Sequence, residues 1–94
     1  MPTYRNRPID HVIDVRTRLE FWLGHVKGAE CIPVDRLEQA LQERPEIAMH
    51  ARILLYCASG SRSAVAASMM QRLGYRHVVN GGAYATVASE LSSS

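Results

Sequence analysis

The sequence predicts an α/β fold, a small parallel β-sheet flanked by helices on both faces. Three observations point there. Short apolar runs of strand length alternate along the whole chain with segments of helical character. Helix caps and stops, Thr17, Asp35 and Gly74 among them, fall between those runs. One run, Ile53-Leu54-Leu55-Tyr56, is apolar throughout and reads as a buried strand, as strands of a parallel sheet covered on both sides do.

Taken in order, residues 1–7 are polar, contain Pro2, and read as a loose N-terminal arm or an edge segment. His11 to Val15 reads as a buried strand with Asp14 and Arg16 at its end. Thr17 caps a short helix over Arg18 to Leu23, with Glu20 placed for a capping box. Phe21, Trp22 and Leu23 give that helix an apolar side, most simply for packing on the sheet, although an exposed Trp22 would mark a partner surface. Gly24 ends it. Lys27-Gly28 turns the chain into a strand over Ala29 to Ile32, stopped by Pro33. Asp35 is placed as the N-cap of a helix from Arg36 to about Arg44, closed by Pro45. Residues 47–52 connect, without an assignment, to the Ile53–Tyr56 strand. A loop and an alanine-rich helix from Ser63 to Leu73 come next, with Gly74 as its stop. His77 to Val79 is a further strand, Asn80-Gly81-Gly82 a flexible turn, Ala83 to Leu91 a last helix, and residues 92–94 a frayed C-terminus. The whole, 1–94, reads as one domain.

Composition narrows the function classes. The chain has 94 residues and a formal net charge of +2, eleven basic residues nearly balanced by nine acidic ones. That balance argues against a dedicated nucleic-acid surface. No stretch approaches the roughly 20 apolar residues of a membrane span, and the N-terminal residues lack the apolar core of a signal peptide. The expectation is a cytoplasmic protein, or a periplasmic one if a leader has been removed. Cys31 and Cys57 make neither a disulfide framework nor a CxxC pair, and the four histidines are scattered. No metal and no cofactor are expected.

The stretch from Ile53 to Gly74 carries the chemistry. A lone cysteine is more often a small core hydrophobe than a nucleophile. Cys57, however, ends a buried strand and precedes Ala58-Ser59-Gly60-Ser61-Arg62-Ser63, a loop without any large apolar residue, which leads into a helix. Backbone N–H groups of such a loop, together with a helix start, stabilise a thiolate or an anion attached to its sulfur. In open parallel sheets ligands bind outside the carboxyl ends of the strands, and Asp14, Arg16 and Cys57 share that rim.

These motifs together resemble a single-domain rhodanese of the minimal, phage-shock type. The matching residues are Ile13-Asp14-Val15-Arg16, Glu20-Phe21, Gly24-His25-Val26-Lys27-Gly28-Ala29, Ile32-Pro33, Tyr56-Cys57, Arg62-Ser63, Leu73-Gly74-Tyr75 and Asn80-Gly81-Gly82, spread over nearly all of residues 9–90. The resemblance implies a sulfurtransferase in which Cys57 takes a sulfur from a small-molecule donor such as thiosulfate, forms a persulfide, and hands it to a thiophilic acceptor, cyanide or a thiol. Four residues separate Cys57 from Arg62, as in rhodaneses, where the related dual-specificity phosphatases have five. That count favours sulfur over phosphate and stands against a phosphatase or oxyanion reductase on the same fold.

Two departures stand out. Ala58 occupies the position where many thiosulfate users carry a basic residue, and Thr86 stands where the family often has Trp. Together with the short N-terminal region, the resemblance implies a more open site. It also leaves a second function standing, a sulfur-relay module fed by a partner protein. Arg62 is placed either to orient an anionic donor or to brace the loop. Ser59, Ser61 and Ser63 are candidate donors to the sulfur as well as ordinary turn residues. Asp14 and Arg16 read as rim residues that hold loops together. His25 reads as structural, and Cys31 as inert core, with a disulfide to Cys57 the sharper alternative.

Overall fold

The computed structural model describes residues 2–91. Four parallel strands form the central sheet in the order β4-β3-β5-β6: β3 (His11–Asp14), β4 (Glu30–Cys31), β5 (Arg52–Cys57) and β6 (His77–Ala83). A separate antiparallel pair, β1 (Thr3–Tyr4) and β2 (Arg7–Pro8), precedes it. The helices are α1 (Arg18–Leu23), α2 (Leu37–Glu43), α3 (Ser61–Arg72) and α4 (Tyr84–Glu90).

Alternation along β5 divides the core in two. Ile53, Leu55 and Cys57 face Leu37 and Leu41 of α2 and Ala66, Ala67 and Met70 of α3. Leu54 and Tyr56 face Val87 of α4, together with Tyr4, Ile9, Val12 and Val26. The sheet is thus covered on both sides, which is why β5 tolerates no polar residue between its first and last positions.

Local signals set several boundaries as expected. Thr17 Oγ1 accepts from Glu20 N–H at 3.2 Å while the Glu20 carboxylate accepts from Thr17 N–H at 3.0 Å, a complete capping box. Gly74, at φ 106°, ends α3: its N–H donates to Gln71 O and Tyr75 N–H to Met70 O, each at 3.1 Å, a Schellman arrangement.

Other expectations are corrected. Of the loose arm or edge segment expected over residues 1–7, the described part is not loose: it is a hairpin across Thr3–Pro8, turned by Arg5 and Asn6 at positive φ. Its anchor is Tyr4, which is buried in the α4-side core and repays the ordering of the arm. The final serines, expected to fray, lie outside the described residues. Asp35 does not cap α2. A 3-10 turn over Val34–Arg36 starts the winding early, because Val34 N–H is bonded to Val15 O at 3.1 Å and draws the turn onto β3.

The largest correction concerns Asn80-Gly81-Gly82, expected as a flexible turn. These residues belong to β6 and continue the ladder, with a bulge that pairs Leu55 with Asn80 and Tyr56 with Gly82. Gly81 is needed there: a Cβ would stand 2.6 Å from Val87 Cγ2 and 3.1 Å from Leu55 O. Finally, α1 buries none of its residues, and Trp22 is exposed rather than packed on the sheet.

Candidate active site

Cys57 is the last residue of β5, and α3 begins at Ser61, two residues earlier than the alanine run suggests. Gly60, at φ 102°, makes the sharp turn between them, a conformation other residues resist. It is also the N-cap of α3, yet no side chain caps this helix. The sulfur does so instead: Gly60 N–H donates to Cys57 Sγ at 2.9 Å. No carboxylate lies in the first turn to compete for the positive end of the helix.

Burial opposes ionisation of Cys57. Hydrogen bonds from Ser63, through both N–H and hydroxyl, and from the N–H groups of Gly60 and Ser59 outweigh it, and the thiol pKa lies below its ordinary value. Ser63 is itself fully buried. Its hydroxyl stands 3.6 Å from the sulfur, 2.7 Å from Asn80 Oδ1 and 3.1 Å from Gly60 O. A hydroxyl has one hydrogen. With a neutral thiol, S–H donates to Ser63 Oγ and Ser63 donates to Asn80. On ionisation the same hydroxyl is free to turn toward the sulfur. Asn80 Oδ1 is held for this by Gly82 N–H at 3.0 Å, a bond that the β6 bulge creates.

The remaining candidates are placed differently. Ser59 and Ser61 are exposed, and their hydroxyls lie 3.4 Å from one another without a hydrogen bond to the sulfur. Ala58 is exposed. Arg62 makes no hydrogen bond to the sulfur or to a loop carbonyl: its guanidinium grips the Glu20 carboxylate through two bonds of 2.7 and 3.0 Å, tying α1 to the first turn of α3, while it stays within electrostatic reach of Cys57. Arg62, and then Thr17 N–H, hold the Glu20 carboxyl down to about 2. Asp14 and Arg16 form a buried pair of their own, with Nε and Nη2 on the carboxylate at 2.7–3.0 Å and a further bond from Nη2 to Gly24 O at 2.6 Å. The Arg16 guanidinium also lies over the rings of Tyr56 and Tyr84. These groups brace the rim on the sheet face opposite Cys57.

His25 stacks on Phe21 with centroids 3.6 Å apart, and its Nδ1 lies 2.9 Å from Phe21 O. Cys31 is no partner for Cys57. Asp14 is in register with both Cys31 and Tyr56, so two strand spacings of about 4.8 Å and one step along β5 separate Cys31 from Cys57. A disulfide needs Cα atoms within about 7 Å. Among the described residues no group of three His, Cys, Asp or Glu side chains is placed to hold a metal ion.

The expected openness of the site is also corrected. Cys57 has no exposed surface. An open cleft of about 550 Å³ lies elsewhere on the rim, between Thr17-Arg18 and α2, and does not contain it. The loop has closed on the sulfur because Gly60 N–H, unable to bond within the helix, takes the nearest acceptor.

Two residues of this arrangement were not legible as site residues. Asn80 sits in a stretch whose composition reads as a turn, and the Glu20 carboxylate serves a capping box and an ion pair at once. Each carried one signal, its place among the residues that resemble the family, and neither was given a role by it.

The model of the rhodanese-like domain matches residues 4–88. The chain belongs to the rhodanese-like family. Thiosulfate sulfurtransferase PspE of Escherichia coli is 30% identical over 83 residues, covering 84% of this chain and 75% of that protein. A structure described as a rhodanese with anions from E. coli superposes with a TM-score of 0.75 at 29% identity, over 89% of this chain and 98% of the other. The human single-domain sulfurtransferase TSTD1 gives 0.72 at 29% identity, over 84% and 80%. Three further relatives, from Bacillus subtilis and Schizosaccharomyces pombe, are longer, and the match spans 36%, 52% and 56% of them. No helix among the described residues is long and apolar enough to cross a membrane.

Proposed function

We propose that this rhodanese-like domain is a sulfurtransferase that carries sulfane sulfur on Cys57. The observation that carries this reading is the Cys57 sulfur standing as the cap of α3, with Gly60 N–H on it at 2.9 Å and its thiol pKa depressed. The thiolate attacks the outer sulfur of thiosulfate, the S–S bond breaks, and sulfite leaves with the electron pair. The persulfide so formed is an anion, and the N–H groups of Ser59, Gly60 and Ser63 are the donors available to hold it without any cofactor. Attack by cyanide on the outer sulfur then yields thiocyanate and returns the Cys57 thiolate. The covered sulfur requires the Ser59–Ser61 segment to shift before either reactant arrives.

A second reading is favoured by two specific observations. The loop presents no free cation, because position 58 is Ala and Arg62 is held by Glu20. Free thiosulfate dianion thus meets a closed surface whose nearest cation is already paired, which suits a relay module loaded by a protein persulfide. Intact mass of the reduced protein after thiosulfate, and again after cyanide, separates the two. Gain of one sulfur, then its loss, supports direct transfer. No gain from thiosulfate, with gain from a persulfide donor, supports the relay. No gain from either overturns both.

A further inference from the structure

Helix α1 is attached to the domain by its polar groups and leaves its apolar stripe free. Surface helices ordinarily bury such a stripe. Here Leu19, Trp22 and Leu23, spaced i, i+3 and i+4, are 65%, 78% and 71% exposed. The helix is held instead by the grip of Arg62 on Glu20 and by the bond from Arg16 to Gly24 O at its end. The other large exposed apolar residues, Met49, Val65 and Leu73, do not repeat this helical stripe.

The stripe is flanked on its own helix by a free cation. Arg18, next to Leu19, is exposed and makes no ion pair among the described residues, whereas the one acid of α1, Glu20, is neutralised by Arg62. Three side chains provide a few hundred Å² of apolar surface. A stable protein–protein interface needs about 800 Å² per partner. The patch therefore suits a transient encounter better than a permanent dimer. It also lies beside the reaction: Glu20, on the same short helix, holds the first turn of α3, where the Cys57 sulfur is capped.

We propose that α1 is the docking face for an acidic polypeptide segment that presents its own cysteine, through an apolar anchor, to Cys57. The proposal rests on the reading of Cys57 as a sulfur carrier. In the accepting direction the segment's thiolate attacks the outer sulfur of the Cys57 persulfide. The S–S bond breaks, Cys57 leaves as a thiolate, and the segment holds the persulfide, with no net oxidation or reduction.

The test uses two synthetic peptides, each with one cysteine beside Leu and Phe and without tryptophan, one flanked by Asp and Glu and the other by Lys. Trp22 is the only tryptophan of the chain, so its fluorescence reports docking independently of transfer. The acidic peptide is expected to shift that fluorescence, and to take sulfur at least about tenfold faster than the basic one at low salt. Trp22→Ala is expected to lower transfer to the acidic peptide about tenfold while cyanide turnover stays unchanged. Arg18→Glu is expected to remove the preference for acid. Equal behaviour of the two peptides, or equal loss with peptide and cyanide in Trp22→Ala, overturns the proposal. So does a dimer in sedimentation that Trp22→Ala dissociates. Loss of transfer to every acceptor with the fluorescence shift retained overturns the sulfurtransferase reading and leaves the docking face standing.

Discussion

Cys31 and Cys57 occupy like positions, and their surroundings push the two thiols in opposite directions. Each closes a parallel strand at the same rim of the sheet, Cys31 on β4 and Cys57 on β5, with β3 between them. Cys31 is the more exposed of the two, yet burial and the nearby Asp14 carboxylate push its thiol pKa up, against the pull of Arg18 and Arg16. Its S–H has one distant acceptor, Arg16 O at 3.8 Å. Cys57 is fully buried and its thiol is lowered. The difference lies in the residues behind each strand. After Cys31 come Ile32 and Pro33, and proline brings no N–H. After Cys57 come a positive-φ glycine and a twelve-residue helix whose first N–H groups have no other partner. Activation of a thiol here is a property of the turn behind it, and exposure counts for less.

That comparison is most directly broken by exchanging each cysteine. Cys57→Ser is expected to abolish sulfur uptake, read as intact mass, with the unfolding midpoint little changed because a serine hydroxyl can still accept from Gly60 N–H. Cys31→Ser is expected to load normally; failure to do so would contradict the separation of the two thiols. Next in size is Asp14→Ala, which strands the Arg16 guanidinium in a buried setting. Breaking such a pair costs about 3–5 kcal/mol, a large share of the stability of a small domain, and a urea midpoint near that of the wild type would show the pair to be dispensable. In the folded fraction the Cys31 thiol pKa should fall, since Asp14 helps to raise it.

Gly81→Ala sharpens the comparison at the bulge, a device Cys31 lacks. Forcing a methyl against Val87 and Leu54 costs about 1–3 kcal/mol, and displacing Asn80 should slow sulfur uptake as well; loss of stability alone would separate the bulge from the site. Smallest in effect is Ser63→Ala. The Cys57 pKa is depressed, so its thiolate is present above that folded value and is lost as pH falls through it. Removing the hydroxyl raises the value, moving the acid limb of sulfur uptake to higher pH and leaving the Cys31 titration unmoved. An unshifted limb would mean that the N–H groups alone set the thiol.

The elements that could be read from the chain share one property: their partners are close in sequence. The Thr17–Glu20 capping box, the Gly74 stop and the turn from Cys57 through Gly60 into α3 are closed by residues within about six positions, so local residue types determine them. The alternation of apolar runs and helices, with the motif resemblance, was enough for the parallel sheet and for Cys57 at its rim. The features that tertiary structure decided involve distant partners. Asn80-Gly81-Gly82 has the composition of a turn, and becomes a strand because β5 offers it a ladder and Ser63, 17 residues away, takes its side chain. Arg62 spends its hydrogen bonds on a carboxylate 42 residues away instead of on the sulfur or the loop carbonyls. Residues 3–8 become a hairpin because Tyr4 finds a core formed by later strands and α4. Trp22 turns outward because polar bonds already hold α1. A local pattern specifies the bonds a segment can make with itself. Which of its remaining groups find distant partners, and which are left to solvent, is settled only when the strands assemble.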